Sequence, residues 1–238
     1  MCLPASAEPG AEPARSTARL RALTSLVLLA LLAFGCRETQ ELFPELDAAS
    51  APPAPADASG TAFHLISIGA NAQVDGTDTV NGFGAAIILR DEQLLFWGNG
   101  GDQTDGRGIV VAVIDPLTGV PTGPVESFDT WETRFTGGTE TARLNARLEA
   151  IEPGMLVLLV VGDDAGVTDN GTPEVLCNLL EDDDTQRLFE LLAELGSRQI
   201  REYCYRASWA MAAYKGKGTA EQEVLLDGAP AHVTVRVP

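Results

Sequence analysis

Two uninterrupted apolar segments constrain the fold of this chain more than any other feature. Residues 109–114 read IVVAVI and residues 155–161 read MLVLLVV. Turn-forming residues bound both runs, because DPLTG follows the first at 115–119 and Pro153-Gly154 precede the second. A short continuous apolar run bounded by turn signals is typical of a fully buried strand. We therefore predict two core strands.

Further strands and two helices are predicted around these runs. Leu144, Leu148 and Ile151 share one helical face after Thr139, and a second helix carries apolar residues at 188, 191, 192 and 195 before Gly196. Shorter apolar segments predict strands at 63–68, 125–128 and 209–214, and hairpins at 85–89 with 94–97 and at 223–226 with 232–237. The pattern predicts an α+β domain that is dominated by sheet and has two helices.

The charge of the chain excludes one class of partner. It contains 34 acidic and 16 basic residues, for a net charge of -18. Binding of nucleic acid requires a cluster of Lys and Arg that neutralises phosphates, and the sequence has none. The part after residue 60 has the length of one ordinary domain, so we expect a single domain over residues 61–238.

The N-terminus has the layout of an export signal. Three arginines, at 15, 19 and 21, precede an uncharged run at 22–34. This run is shorter than the roughly twenty residues of a membrane-spanning helix, so we predict a signal peptide over residues 1–35. Its end, LAFGC at 32–36, resembles a bacterial lipobox and predicts lipidation of Cys36, although Ala33 and Phe34 depart from the usual pattern. Ordinary signal-peptidase cleavage and a secreted soluble protein are the alternative.

The segment that follows is rich in Ala, Pro, Asp and Glu and has little to bury. Residues 36–60 are therefore predicted to be a disordered tether. The membrane would then be reached only through the N-terminal lipid. Arg37 after the lipidated cysteine favours the outer membrane within the cell envelope.

Cysteine usage is consistent with export. Cys2 lies in the leader and Cys36 is assigned to the lipid, which leaves Cys177 and Cys204. In an oxidising compartment these two are expected to form a disulfide, and two buried thiols are the alternative.

An ordered series of short motifs runs through residues 63–238. It comprises GRGI at 106–109, DPLTG at 115–119, SFDT at 127–130, PGM at 153–155, Asp163-Asp164, LAELGS at 192–197, YRASW at 205–209 and YKG at 214–216. This series resembles the interleukin-like EMT inducer family, also called the ILEI or PANDER-like domain. Three departures concern the loops. Residues 168–184 look like an insertion, Trp131 replaces a tyrosine, and the cysteines do not follow the secreted vertebrate arrangement.

The resemblance implies a compact fold of two facing β-sheets, similar to a β-sandwich, with two flanking helices. Family members include cytokine-like secreted proteins, hyaluronan-binding surface proteins and a glycosyltransferase stem that binds carbohydrate. The resemblance implies no common enzymatic activity, and no cofactor is predicted for this chain.

The residues themselves favour binding over catalysis. His64 and His232 lie at opposite ends of the domain sequence, so neither a zinc site nor a Ser-His-Asp triad is expected. Asp163 and Asp164 follow a core strand, where paired carboxylates could serve glycoside hydrolysis, but adjacent residues usually point to different sides. The acidic stretch after them lacks EF-hand spacing, so no metal is predicted.

Sugar recognition requires an aromatic face beside planar hydrogen-bonding groups. The candidate ligand-binding residues are Arg206, Trp209, Asp163, Asp164, Asp129 and Trp131. Each has a structural alternative, since Trp209 begins an apolar strand and Arg206 is available to pair with Asp163 or Asp129. Two functions therefore remain open, a glycan-binding module on the cell envelope and a module that docks on another envelope protein. A glycan-acting enzyme ranks third.

Overall fold

The computed structural model describes residues 60–74, 77–78, 84–99, 106–131, 139–165 and 183–238. The predicted signal peptide, Cys36, nearly all of the tether, Cys177 and most of the predicted insertion lie outside these residues, and what was predicted for them stays a prediction.

Twelve strands and two α-helices occur in the described residues. The strands are β1 (Thr61–Ile68), β2 (Gln73–Val74), β3 (Thr77–Asp78), β4 (Ala85–Arg90), β5 (Gln93–Asn99), β6 (Gly108–Asp115), β7 (Val120–Pro121), β8 (Glu126–Phe128), β9 (Leu156–Gly162), β10 (Ser208–Tyr214), β11 (Ala220–Leu226) and β12 (Ala231–Val237). The helices are α1 (Thr139–Glu149) and α2 (Asp183–Leu195), and a 3-10 turn spans Ile200–Glu202.

These strands form two principal antiparallel sheets. The larger has the order β11-β10-β9-β6-β7, with β8 paired to β6 beside β7. The smaller has the order β12-β1-β4-β5, and β2 with β3 forms a separate short ladder. The predicted α+β fold with a two-sheet core and two helices is confirmed.

The larger sheet is covered on both faces, which explains the two apolar runs. Along β6, Ile109, Val111 and Val113 belong to the same buried cluster as the apolar faces of α1 and α2. The alternate residues of β6 pack instead with the inner face of the smaller sheet. Because successive side chains of a strand point to opposite faces, a strand between two packed layers must be apolar at every position. The domain is thus layered as sheet, sheet and helices.

Both helices follow from their sequences. In α1 the side chains of Leu144 and Leu148 are buried, and the helix ends shortly before Pro153. In α2 the first turn carries Asp183 and Asp184, which favour the positive end of the helix dipole, and Gly196 follows at φ +103°. Gly196 N donates to Ala193 O and Ser197 N to Leu192 O, which satisfies carbonyls of the last turn.

The two predicted hairpins had different outcomes. The first is confirmed, because β4 and β5 pair in antiparallel fashion through a turn in which Asp91 and Glu92 have φ of 44° and 69°. The second is wrong. β11 pairs with β10 in the larger sheet, whereas β12 pairs with β1 in the smaller one, so residues 227–230 carry the chain between sheets. The apolar pattern of β12 describes its buried face and does not specify its neighbour.

Two serines connect the sheets where β1 ends. Ser67 Oγ donates to Val161 O at 2.6 Å and accepts from Trp209 N at 2.9 Å. Ser208 Oγ accepts from Gly69 N at 2.8 Å. All three bonds are buried, so they fix β1 of the smaller sheet against β9 and β10 of the larger one. At the other end of β1, Gly60 lies against the backbone of Val237.

Candidate functional site

Five strand ends meet at one end of the two sheets, and five of the six predicted ligand-binding residues lie there. β9 ends at Gly162, and the next residue, Asp163, forms a parallel bridge with Gly69 just after β1. β6 and β10 begin nearby, and β8 ends there by pairing of Phe128 with Ile109. We call the group formed by Arg107, Asp129, Trp131, Asp163, Asp164, Tyr205 and Arg206 the strand-end cluster.

Arg107 organises one half of the strand-end cluster. Its guanidinium forms a bidentate ion pair with Asp129, in which Nε donates at 2.9 and 3.0 Å and the pair is completed through Nη2. The two side chains are only 11% and 12% exposed. The same guanidinium lies 4.4 Å from the ring centroid of Trp131. Asp129 and Trp131 are therefore brought together, as predicted, through an arginine between them.

Asp163 occupies the buried centre of the site. Its backbone has φ +65°, a left-handed conformation that is uncommon for residues other than glycine, and Gly84 N donates to its Oδ1 at 3.5 Å. Burial raises the pKa of the Asp163 carboxyl, while the Gly84 bond and the charges of Arg206 and Arg107 act in the opposite direction. The Asp163 carboxyl group is thus desolvated by burial, and the charges of two arginines partly offset the cost of ionising it.

Asp164 points into the interior beside a buried phenol. Its side chain is buried, and its backbone N donates to Gly162 O at 2.9 Å. Burial, followed by the negative charge of Asp164, raises the pKa of the Tyr203 hydroxyl well above its usual range. Asp164 therefore contacts the core under the site, and the two adjacent aspartates face different surroundings.

Arg206 forms the other half of the cluster. Its φ is +62°, and its guanidinium carbon lies 4.9 Å from the centroid of the half-buried Tyr205 ring. Within the described part of the chain Arg206 forms no ion pair, and Asp129, one of its two predicted partners, is paired with Arg107. Two hydrogen bonds from Asn71 hold the segment, with the backbone N donating to Arg206 O at 3.3 Å and the side-chain Nδ2 donating to Tyr205 O at 3.0 Å.

Trp209 does not share this surface. It is fully buried among the apolar residues that face the helices, and its Nε1 donates to Glu223 Oε1 at 3.0 Å. Glu223 also accepts from the backbone N of Arg198 at 2.7 Å. The ring of Trp209 therefore belongs to the core and is inaccessible to a ligand.

Two glycines allow the backbones to approach at the site. A Cβ atom added to Gly84 would lie 2.0 Å from Ile68 O and 2.6 Å from the backbone of Asp163. One added to Gly69 would lie 2.1 Å from Arg206 O. Because Gly84 and Gly69 have no side chain, the left-handed residues Asp163 and Arg206 can lie against the end of β1.

The two histidines lie together on the outer face of the smaller sheet, contrary to the separation expected from the sequence. Pairing of β1 with β12 brings the His64 and His232 ring centroids within 5.7 Å, and Thr234 Oγ1 lies 3.1 and 3.3 Å from their nitrogens. Among the residues that the structure describes, no group of three or more His, Cys, Asp or Glu side chains is arranged to hold a metal ion.

Arg107 and Tyr205 were missing from the candidates chosen by sequence. Both occur in motifs that carried the family resemblance, GRGI and YRASW. Each is next in sequence to a residue with a positive φ angle. Arg107 lies between two glycines of positive φ, Gly106 and Gly108. The presence of an arginine between two glycines was therefore the sequence signal that could have identified Arg107 as a site residue.

The protein is a small α+β domain in which two sheets and a layer of helices are stacked. Arginine, aspartate and aromatic side chains cluster where its strands end. Residues 107–217 match the family model described as interleukin-like EMT inducer. The chain therefore contains an ILEI/PANDER-like domain, as the motifs indicated, and the matched segment runs from the Arg107 that organises the site to Lys217 after β10. No curated protein matches the chain. None of the helices in the described residues has the length and hydropathy to cross a membrane.

Proposed function

We propose that this domain is a non-catalytic binding module for carbohydrate, displayed on the cell envelope by a lipid anchor at Cys36. The observation that carries the proposal is Arg206. Its guanidinium lies over the Tyr205 ring and forms no ion pair with another described residue, beside a second arginine that stacks on Trp131.

The chemistry of this arrangement suits a sugar. Pyranose rings present C–H faces that pack on aromatic rings, and their hydroxyls accept hydrogen bonds from guanidinium groups in fixed directions. The bidentate pair with Asp129 holds Arg107 rigidly, so the Trp131 half of the surface is preorganised. Arg206 supplies the second set of donors.

A glycan array probed with the full chain in mild detergent tests the proposal. We expect saturable binding that weakens about tenfold or more in Arg206→Ala, because a charge-assisted hydrogen bond is worth roughly 1.5–3 kcal/mol. Arg201→Ala is the matched control, since Arg201 also lies over an aromatic ring, 4.8 Å from the Phe189 centroid, but outside the strand-end cluster. Both variants should keep the thermal stability of the parent chain to within a few degrees.

Two results would contradict the proposal. One is the absence of binding across a broad array, and the other is equal affinity in the parent chain and Arg206→Ala. Turnover of a bound glycan by the purified chain would instead show the enzyme that ranked third.

A protein-interaction module is the second candidate, and a separate observation favours it. Leu94 and Trp97 on β5 are exposed large apolar side chains. Crosslinking in the envelope that captures a protein on this strand, together with a silent glycan array, would support this alternative.

A further inference from the structure

The only two histidines of this chain lie side by side. His64 on β1 and His232 on β12 are far apart in the sequence, and none of the other residues of the chain is a histidine. In the pairing of β1 with β12, His64 is opposite Thr234. His232 is opposite Ile66, so the two rings are diagonal neighbours on the outer face of the smaller sheet. The fold therefore gathers all the imidazole groups of the chain at one place.

Both rings direct a nitrogen toward the same point. His64 Nδ1 lies 3.1 Å from Thr234 Oγ1, and His232 Nε2 lies 3.3 Å from the same oxygen. In a neutral imidazole either ring nitrogen can carry the proton, so both of these nitrogens can present a lone pair. Two nitrogen lone pairs that converge on one position are what a chelated metal ion requires.

The spacing of the two rings also matches chelation of one ion. A metal ion at its usual distance from a ring nitrogen lies about 3.2 Å from the ring centroid, so two imidazoles on one ion have centroids about 4.5–6.4 Å apart over the ordinary coordination angles. The centroids of His64 and His232 are 5.7 Å apart, and the rings are inclined by 36°. Both side chains are half-buried on paired strands, so small side-chain rotations are enough to bring the two nitrogens onto one ion.

We propose that His64 and His232 form a two-histidine site for a divalent transition-metal ion of the zinc, copper and nickel class. Imidazole is a preferred ligand of these ions, whereas magnesium and calcium take oxygen ligands. Among the residues that the structure describes, no third His, Cys, Asp or Glu side chain joins the pair, so water completes the coordination. The ion replaces the Thr234 hydroxyl between the nitrogens and links β1 to β12, the first and last strands of the domain. The net charge of -18 favours the approach of a cation.

A zinc titration followed by NMR tests the site directly, because selective ¹³C labelling of histidine gives signals from two residues only. The sample is the full chain without an affinity tag in mild detergent, and zinc chloride is the probe. We expect both histidine signals to shift with one dissociation constant. This constant should rise at least tenfold in His64→Gln and in His232→Gln, because each substitution removes one of the two metal–imidazole bonds.

Ile66→Val is the matched control. Ile66 is directly opposite His232 in the ladder and has no ligand atom, so its variant should bind zinc with the dissociation constant of the parent chain. Without zinc, all three variants should unfold within a few degrees of the parent, and zinc should raise the Tm of the parent and of Ile66→Val only. Zinc binding should also weaken as the pH falls from about 7.5 to about 5.5, because histidine binds a metal ion only in its neutral form.

The proposal is overturned if zinc shifts neither histidine signal of the parent chain, or shifts only one. It is overturned equally if either histidine variant binds zinc as tightly as the parent, or if Ile66→Val loses binding to the same degree as the histidine variants. Neither histidine belongs to the strand-end cluster, so the zinc titration and the glycan array succeed or fail independently.

Discussion

Replacement of Ser67 by alanine tests whether the serine bridges hold the two sheets together. The substitution removes the donor to Val161 O and the acceptor of Trp209 N, both in the buried region between the sheets. A buried N–H left without an acceptor costs about 1–3 kcal/mol, and the lost bond to the carbonyl adds about 1 kcal/mol. We therefore expect Ser67→Ala to lower the free energy of unfolding by about 2–4 kcal/mol.

A loss of this size is a large fraction of the stability of an ordinary domain, which is about 5–15 kcal/mol. It corresponds to a fall in Tm of roughly 5–15 °C for a domain of this length. Urea unfolding followed by tryptophan fluorescence measures it, as a lower midpoint at an unchanged m-value.

Ser127→Ala is the matched control for this prediction. Ser127 is a half-buried serine on β8 whose hydroxyl makes no hydrogen bond to a described residue. Its replacement should change the free energy of unfolding by less than about 0.5 kcal/mol. If Ser67→Ala costs no more than this control, the reasoning about the bridges is refuted.

Three further predictions concern the site and the cysteines. Because the pKa of Asp163 is raised on folding, the folded state binds more protons than the unfolded state between the usual Asp pKa and the raised one, and stability is lost as pH rises through that interval. Asp163→Asn should thus stabilise the chain more at pH 7 than at pH 3, as measured by urea unfolding at both values. Gly84→Ala should prevent close approach of the strand ends and destabilise the domain by several kcal/mol in thermal unfolding, whereas Gly123→Ala, with no atom within 4 Å of the added Cβ, should be neutral. Cys204→Ser should remove a Cys177–Cys204 disulfide detected by non-reducing peptide mapping, with a loss of about 3–4 kcal/mol; an unmodified Cys177 thiol in the parent chain would contradict this pairing.

The layered core was predictable from the sequence because burial on two faces leaves a continuous apolar run. The runs at 109–114 and 155–161 lie within β6 and β9, in the middle of the larger sheet. Helix α2 was predictable for the same kind of reason, since its apolar spacing and Gly196 are local signals. Strand partners were less accessible, and β12 shows why: it has the same pattern whether it pairs with β11 or with β1.

The candidate site was predictable in position and only partly in membership. Asp163 was chosen because it follows a core strand, and Asp129 and Trp131 were chosen as a hydrogen-bonding group near an aromatic side chain. All three lie where strand ends meet. Arg107 could not be assigned from spacing, because its contact with Asp129 depends on the pairing of β6 with β8. Trp209 has an aromatic ring of the type that packs on sugars, but it lies on the face of β10 that packs against the helices.

The course of β1 determines which way the strand-end cluster faces. This strand starts beside Gly60 and Val237 and ends at Gly69, within the cluster. Its eight residues span about 26 Å at roughly 3.3 Å per residue, so both chain ends of the domain lie at the pole opposite the cluster. If the domain is attached to a surface through either of these ends, the strand-end cluster faces away from that surface. Since the two ends are adjacent, they could also be joined by a short linker and the chain reopened at the turn around Gly123, which would give a circular permutant with an undisturbed cluster.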